Sequence, residues 1–214
     1  MNSTDACVCP YPNGDSSVRR IALEAQSLGY DSIVAADVPA CEYHGVMVLS
    51  GLMIAGKPLK DVMTLVKRST GSGSIVSVQA GDNRFNRAIL GIKGVHILRG
   101  IHAADKRAFD HVAAKIAADN CKALDIDLAP LISCRGHARQ KAIHRYLDLM
   151  VLQKRYEFPL TISSCSRSVL SMRSVREVTG LCSLIGMDMV DVEQAFAGVS
   201  RVTEPGDAAV RVIS

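Results

Sequence analysis

The chain has 214 residues, 48% of them hydrophobic and 21% charged, with a formal net charge of +4. That balance excludes a disordered basic tail and gives enough apolar material for one domain with a sizeable core. Trp is absent and aromatics are 4%, which counts against a sheet that stacks nucleobases on exposed rings.

Apolar, β-branched runs alternate with helical patterns along the chain. Cys7–Cys9 lies in a short first strand. Asp15–Leu28 reads as a helix, with Asp15 as N-cap and Gly29 as the stop. Asp31–Ala36 is a strand, and Gly45–Ile54 contains another. Leu59–Arg68 is a helix, followed by the loop Ser69–Ser74. Ser74–Gln79 is a strand, Asn83–Gly91 a short helix and Val95–Leu98 a strand. Ala108–Asp119 is a helix, Cys121–Leu128 a strand, and Ala138–Arg155 the longest helix. Leu160–Ser164 is a strand. Ser174-Val-Arg-Glu177 is a capping box that opens a helix to about Ile185. Val190–Ala197 adds one more helix, and Val210–Ile213 reads as an edge strand or a frayed end.

Such alternation, with about seven strands, predicts a parallel sheet covered by helices in one domain over 1–214. The options are a closed (β/α) barrel and an open doubly wound sheet. No Gly-x-Gly-x-x-Gly or Walker A motif follows a strand, and Gly71-Ser-Gly73 precedes one, so a helix-N-terminal phosphate cradle is not expected. A TIM-barrel-like fold is therefore the expectation. The longest apolar stretch, Gly45–Gly56, is too short to span a bilayer. The start lacks a basic n-region and an apolar h-region. A soluble, cytoplasmic protein with no membrane contact is expected.

Positive charge is concentrated. Arg135–Arg176 holds nine Arg/Lys against Asp148 and Glu157, so the rest of the chain is net negative. In a parallel fold, residues that follow the strands gather on one rim. Four later junctions then deliver Arg84 and Arg87, Arg99 and His102, Arg135 and Arg139, and Arg167, Arg173 and Arg176. Arg135 and Arg139 fall on the side of the apolar stripe Ala142, Tyr146, Leu149 and Met150. A guanidinium cannot be buried unpaired, so the first turn of this helix should overhang the barrel end. Lys141 and Arg145 fall on the opposite face, as ordinary solvated charges. An Arg-rich rim suits bidentate contact with phosphates, and these nine residues are the candidate nucleic-acid contacts.

A catalytic constellation is not expected. The six histidines are dispersed, with no His-x-His or His-Glu-x-x-His. Cys7 and Cys9 share a strand face and, with Cys165 or Cys121, could meet inside a barrel on zinc. Small thiols filling a narrow interior is the preferred reading, so no metal ligand is assigned. Asp125 and Asp127 also share a face, where a salt bridge to a rim arginine is favoured over an acid–base pair. Ser163-Ser-Cys-Ser166 lacks a nucleophile turn, and His111 reads as a hydrogen-bonding residue.

Several ordered runs resemble a known family: Asn86-Arg87, Asp110-His111-Val-Ala-Ala-Lys115 to Asn120, Leu152-Gln-Lys154-Arg155-Tyr156, Ser163-Ser-Cys-Ser166, Met172-Arg173-Ser-Val-Arg176-Glu177 and Leu184-Ile-Gly186-Met187. They are similar to ribonuclease P protein component 3, the barrel-type protein subunit of archaeal and eukaryotic ribonuclease P. The likeness spans essentially the whole chain and is strongest from Gly81 to Met187. It implies a TIM-barrel-like fold related to the metal-dependent PHP phosphoesterases. Those open with an Asp-x-His-x-His-type strand; here it reads Asp5-Ala-Cys7-Val-Cys9, which departs from a metal centre. Val175 stands where the family often has Pro, but the capping box remains.

The resemblance further implies a subunit that is not an enzyme on its own. It would bind and brace ribonuclease P RNA during removal of precursor-tRNA 5′ leaders, with catalysis by the RNA through its own magnesium and no cofactor on the protein. Implied partners are that RNA, a small ferredoxin-like protein subunit in a two-plus-two assembly and, indirectly, precursor tRNA. The alternative is a stand-alone PHP-like metal-dependent phosphoesterase.

Overall fold

A computed structural model describes residues 3–204. The expected element at Val210–Ile213 lies outside the described residues. Seven strands run parallel in the order β1 (Thr4–Val8), β2 (Ser32–Ala36), β4 (Val46–Ile54), β5 (Ile75–Gln79), β6 (Ile97–Arg99), β7 (Ala123–Asp127) and β8 (Leu160–Ser163). The sheet curls until its last strand meets its first. Cys9 N–H donates to Ser166 O at 2.8 Å and Cys165 N–H to Cys7 O at 2.9 Å, and Val8 bridges Ser166 in parallel. The result is a nearly closed barrel of the expected TIM-like type.

Its helices are α1 (Val18–Ser27), α2 (Leu59–Ser69), α3 (Asn83–Leu90), α4 (His111–Asp119), α5 (Ala129–Ser133), α6 (Gly136–Tyr156), α7 (Val175–Ser183), α8 (Met189–Phe196) and α9 (Gly198–Thr203). No helix of the described residues is long and apolar enough to cross a membrane.

Strand alternation sorts the core into two. Outward residues such as Ile33, Val76, Val78, Leu98, Leu124, Ile126 and Ile162 pack under the helices. Inward residues Ala6, Val34, Ile75, Ile97 and Ala123 form an apolar floor inside the barrel, closed from below by Val199 and Val202 of α9. Gly198 makes that plug possible: a Cβ there would stand 1.8 Å from the Leu160 carbonyl oxygen.

Three local differences from the sequence reading have physical causes. Helix α1 starts later because Ser17, not Asp15, is its N-cap, accepting from Arg20 N–H. Asp15 instead belongs to a loop at the barrel mouth, where its N–H donates to Arg167 O at 2.8 Å. Strand β3 (Cys41–Tyr43) was not expected. It pairs antiparallel with β4 through a two-residue turn at His44 and Gly45, both at positive φ, the geometry that twisted hairpins favour. Helix α9 was also missed, because Ala197-Gly198 reads as a stop rather than as a joint between two short helices.

One buried carboxyl makes the fold sensitive to pH. Asp5 Oδ1 accepts from Cys7 N–H at 3.1 Å and Ser164 N–H at 3.0 Å, while Oδ2 is buried without a hydrogen-bond partner. Burial pushes its pKa up from 3.8 to about 6. The folded state therefore favours the neutral acid. The contribution is fully present below the unfolded pKa and is lost as pH rises through the folded one, a span worth roughly 3 kcal/mol. Urea titrations of parent and Asp5→Asn between these pKa values should show the parent losing stability relative to the variant as pH rises. A constant difference across that window would mean that Asp5 does not titrate as placed.

Candidate nucleic-acid interface

All seven barrel strands end at the same side, so their following segments form one mouth. Arg99 stands in it, on the last residue of β6 and on the inward face that it shares with Ile97. Its side chain is 8% exposed, with Nη2 3.7 Å from Asp125 Oδ2 and 3.9 Å from Asp127 Oδ2. Nη1 donates to Cys7 Sγ at 3.0 Å and also faces Met53 Sδ; Nη2 faces Cys165 Sγ. Asp125 is held in turn by Thr161 Oγ1 at 3.0 Å and Ser163 Oγ at 2.6 Å. Burial raises both aspartates, and the Arg99 cation opposes that shift in each. A monovalent guanidinium thus occupies the polar centre of the barrel above its apolar floor.

The same arrangement tests the site for a metal. Cys7, Cys9 and Cys165 pack together at the mouth, but the Cys7 and Cys165 thiols are already acceptors for Arg99. Cys121 lies at the other end, against Arg201 O. No group of three or more His, Cys, Asp or Glu among the described residues is placed to hold a metal ion. A divalent cation beside Arg99 would meet a fixed positive charge, so the residues present do not fit a metal centre.

The nine candidate contacts separate into three groups. Arg84, in the first turn of α3, Arg135, the N-cap of α6, and Arg167, just past β8, are exposed at the mouth side. Arg139 is half-buried one turn into α6, in a recess it shares with Leu131 and Ile132 of α5 and Glu177 of α7. None of these four is in an ion pair among the described residues.

Arg87, Arg99 and His102 are engaged internally. Arg87 pairs with Asp110. Burial alone would raise Asp110, but the Ala113 N–H and Arg87 outweigh it and bring the carboxyl to about 2. Arg99 is turned inward and is withdrawn from the set of surface contacts. The His102 ring shares a 2.9 Å hydrogen bond with Tyr146 Oη, and burial lowers its pKa, so it acts as a neutral strut.

Arg173 lines a recess with Arg139, Leu131, Ile132 and Glu177, while Arg176 is exposed on the first turn of α7. Val175 N–H donates to Leu28 O at the end of α1, and Tyr30 Oη donates to Arg173 O. That region adjoins the start of β2, so this segment has descended from the mouth toward the opposite end. The expectation that both arginines join the rim is corrected in part: a junction after a strand stays at the mouth only if it is short, eight residues separate Ser166 from Val175, and only Arg173 keeps company with a rim residue, Arg139.

Replacing Arg99 by Met would leave Asp125 and Asp127 buried without a cation. The expected cost is about 3–5 kcal/mol, seen as a lower urea midpoint at unchanged slope. Adding Asp125→Asn should recover part of it. Wild-type stability in the single variant would show that the triad is not a structural pair.

The chain matches the family model described as RNase P subunit p30 over residues 2–207. It is 28% identical over 207 residues to ribonuclease P protein component 3 of Haloarcula marismortui, covering 92% of this chain and 88% of that protein. It is 29% identical to the namesake in Natronomonas pharaonis, covering 91% and 85%. Among solved structures, a chain in the cryo-EM structure of archaeal ribonuclease P with mature tRNA superposes with a TM-score of 0.78 at 15% identity, covering 99% of this chain and 96% of that one. A putative histidinol phosphatase from Listeria monocytogenes shares the barrel at a TM-score of 0.53 and 10% identity, over 79% of this chain and 97% of that one. With a family match over nearly its whole length and a barrel of the same form, the chain belongs to the RNase P subunit p30 family.

Proposed function

We propose that this subunit braces the RNA of ribonuclease P electrostatically while the RNA performs 5′-leader cleavage of precursor tRNA. The protein contributes no cofactor in this reading; magnesium is held by the RNA. Folding an RNA compactly brings phosphates together, and cations presented on a rigid rim offset that repulsion. The observation that carries the reading is the set Arg84, Arg135, Arg139 and Arg167: four guanidinium groups on the mouth side, drawn from three separate junctions, with no carboxylate paired to any of them. A shape- and phosphate-reading surface also suits a chain with 4% aromatics. A small ferredoxin-like subunit in a two-plus-two assembly is the protein partner in this reading, and the complex works in the cytoplasm.

A stand-alone metal-dependent phosphoesterase is not favoured, since a guanidinium already sits among the carboxylates and thiols of the mouth.

The reconstituted complex provides the test. Arg84→Ala, Arg135→Ala and Arg167→Ala should each weaken RNA binding and make the slope of log K against log salt shallower by ~1. Arg176→Ala, toward the opposite end of the barrel, should leave the slope unchanged and serves as the internal control. Unchanged slopes in all three mouth variants would remove this surface from RNA binding.

A further inference from the structure

Helix α6 carries two faces with opposite fates. Ala142, Tyr146, Leu149 and Met150 are buried against the barrel. His137, Lys141, His144, Arg145 and Asp148 recur at helical spacing on the other side, where they line an open groove of about 470 Å³ against the loop that follows β6. The loop contributes Ala104, Asp105 and Lys106. This groove lies on the outer flank of the mouth and uses none of the nine residues discussed above.

Its chemistry is cationic and partly preorganised. Arg145 does not behave as a free surface charge. Its Nη2 donates to Ala104 O at 2.8 Å, across the groove, and its Nε is buried without a partner. Lys141 stands one turn away. Neither is in an ion pair among the described residues. Like charges at this spacing repel by about 0.2–0.5 kcal/mol, and an anion between them would reverse the sign.

The acids nearby are otherwise engaged. Asp148 faces Lys106 at 4.0 Å, and Asp105 Oδ1 accepts from Arg107 N–H at 2.8 Å. His144 Nδ1 is bonded to Gln140 O at 2.9 Å, which fixes the ring and leaves Nε2 available.

We propose that this groove binds one phosphodiester of a single RNA strand: Lys141 and Arg145 hold the phosphate, while His137 and His144 flank the attached ribose and base. A phosphate has oxygens enough to accept from both cations together, and the bond from Nη2 to Ala104 O holds the Arg145 guanidinium at the groove. The groove volume suits a nucleotide, within the roughly 300–1,000 Å³ of small-molecule sites. Flat imidazole rings supply stacking surface beside the cations. The proposal rests on the reading of this subunit as RNA-binding and adds a second, strand-reading site to it.

The test uses the full chain and a short uridine oligoribonucleotide, with a short poly-glutamate peptide as competitor chemistry. Imidazole NMR signals are assigned through His137→Ala and His144→Ala. The oligoribonucleotide should shift both signals, and the peptide should not. Lys141→Glu, at an exposed position with no internal partner, should weaken oligoribonucleotide binding at least tenfold with a salt slope shallower by ~1, and with unchanged thermal stability. Parent-like affinity and slope in both Lys141→Glu and His144→Ala would overturn the site. Shifts produced by the peptide but not by the RNA would overturn it in favour of an acidic protein. Arg84→Ala, Arg135→Ala and Arg167→Ala in the same assay separate the outcomes. If they alone weaken folded-RNA binding, the groove proposal fails while the mouth reading stands. If only the groove variants do, the reverse holds.

Discussion

The ion-paired centre formed by Arg99, Asp125 and Asp127 sets the character of the barrel. Three charges sit inside a sheet whose lower interior is mainly apolar. They are tolerable there because each has a partner: the carboxylates share one guanidinium, and Thr161 and Ser163 hold Asp125 from the next strand. Buried pairs of this kind seldom add net stability over an apolar core. Their effect is to make one arrangement of strands β6, β7 and β8 far better than any slipped one, since a register shift by one residue would turn the charges outward into the helix layer.

That centre also divides labour within the family fold. The centre of the mouth is held by a fixed cation that cannot exchange or release a proton at neutral pH. The centre of the mouth is ion-paired, and the unpaired arginines lie further out, on α3, at the start of α6 and in the segment after β8. A rigid interior helps such a surface, because cations held apart by a stiff barrel lose little freedom on meeting phosphates.

Much of the fold was legible in the residues. Nearly every strand and long helix followed from periodicity and caps, and the Ser174–Glu177 capping box forms both of its hydrogen bonds. Where legibility failed, the missing information was non-local. The β3 hairpin turns on His44-Gly45, which lacks the usual Asn-Gly signal. Helix α9 is too short for a periodic pattern and is defined by what it plugs. Gly14 carries no local message, yet a Cβ there would come within 2.2 Å of Cys9 O and 2.4 Å of Arg167 O, where the loops after β1 and β8 cross.

The candidate site divides in the same way. Sequence by itself determined the fold class, the concentration of positive charge and the absence of a histidine cluster, because composition, spacing and alternation are properties of the chain. Only tertiary structure decided which arginines are free. Arg84 and Arg87 stand three residues apart, yet one is exposed and the other is tied to Asp110 on the next helix. Arg99 shares its strand face with Ile97 and so points inward, where partners from β7 happen to balance it. Charge is fixed by the residue, but its availability depends on which carboxylates the fold brings within a few ångströms, and those come from distant parts of the chain.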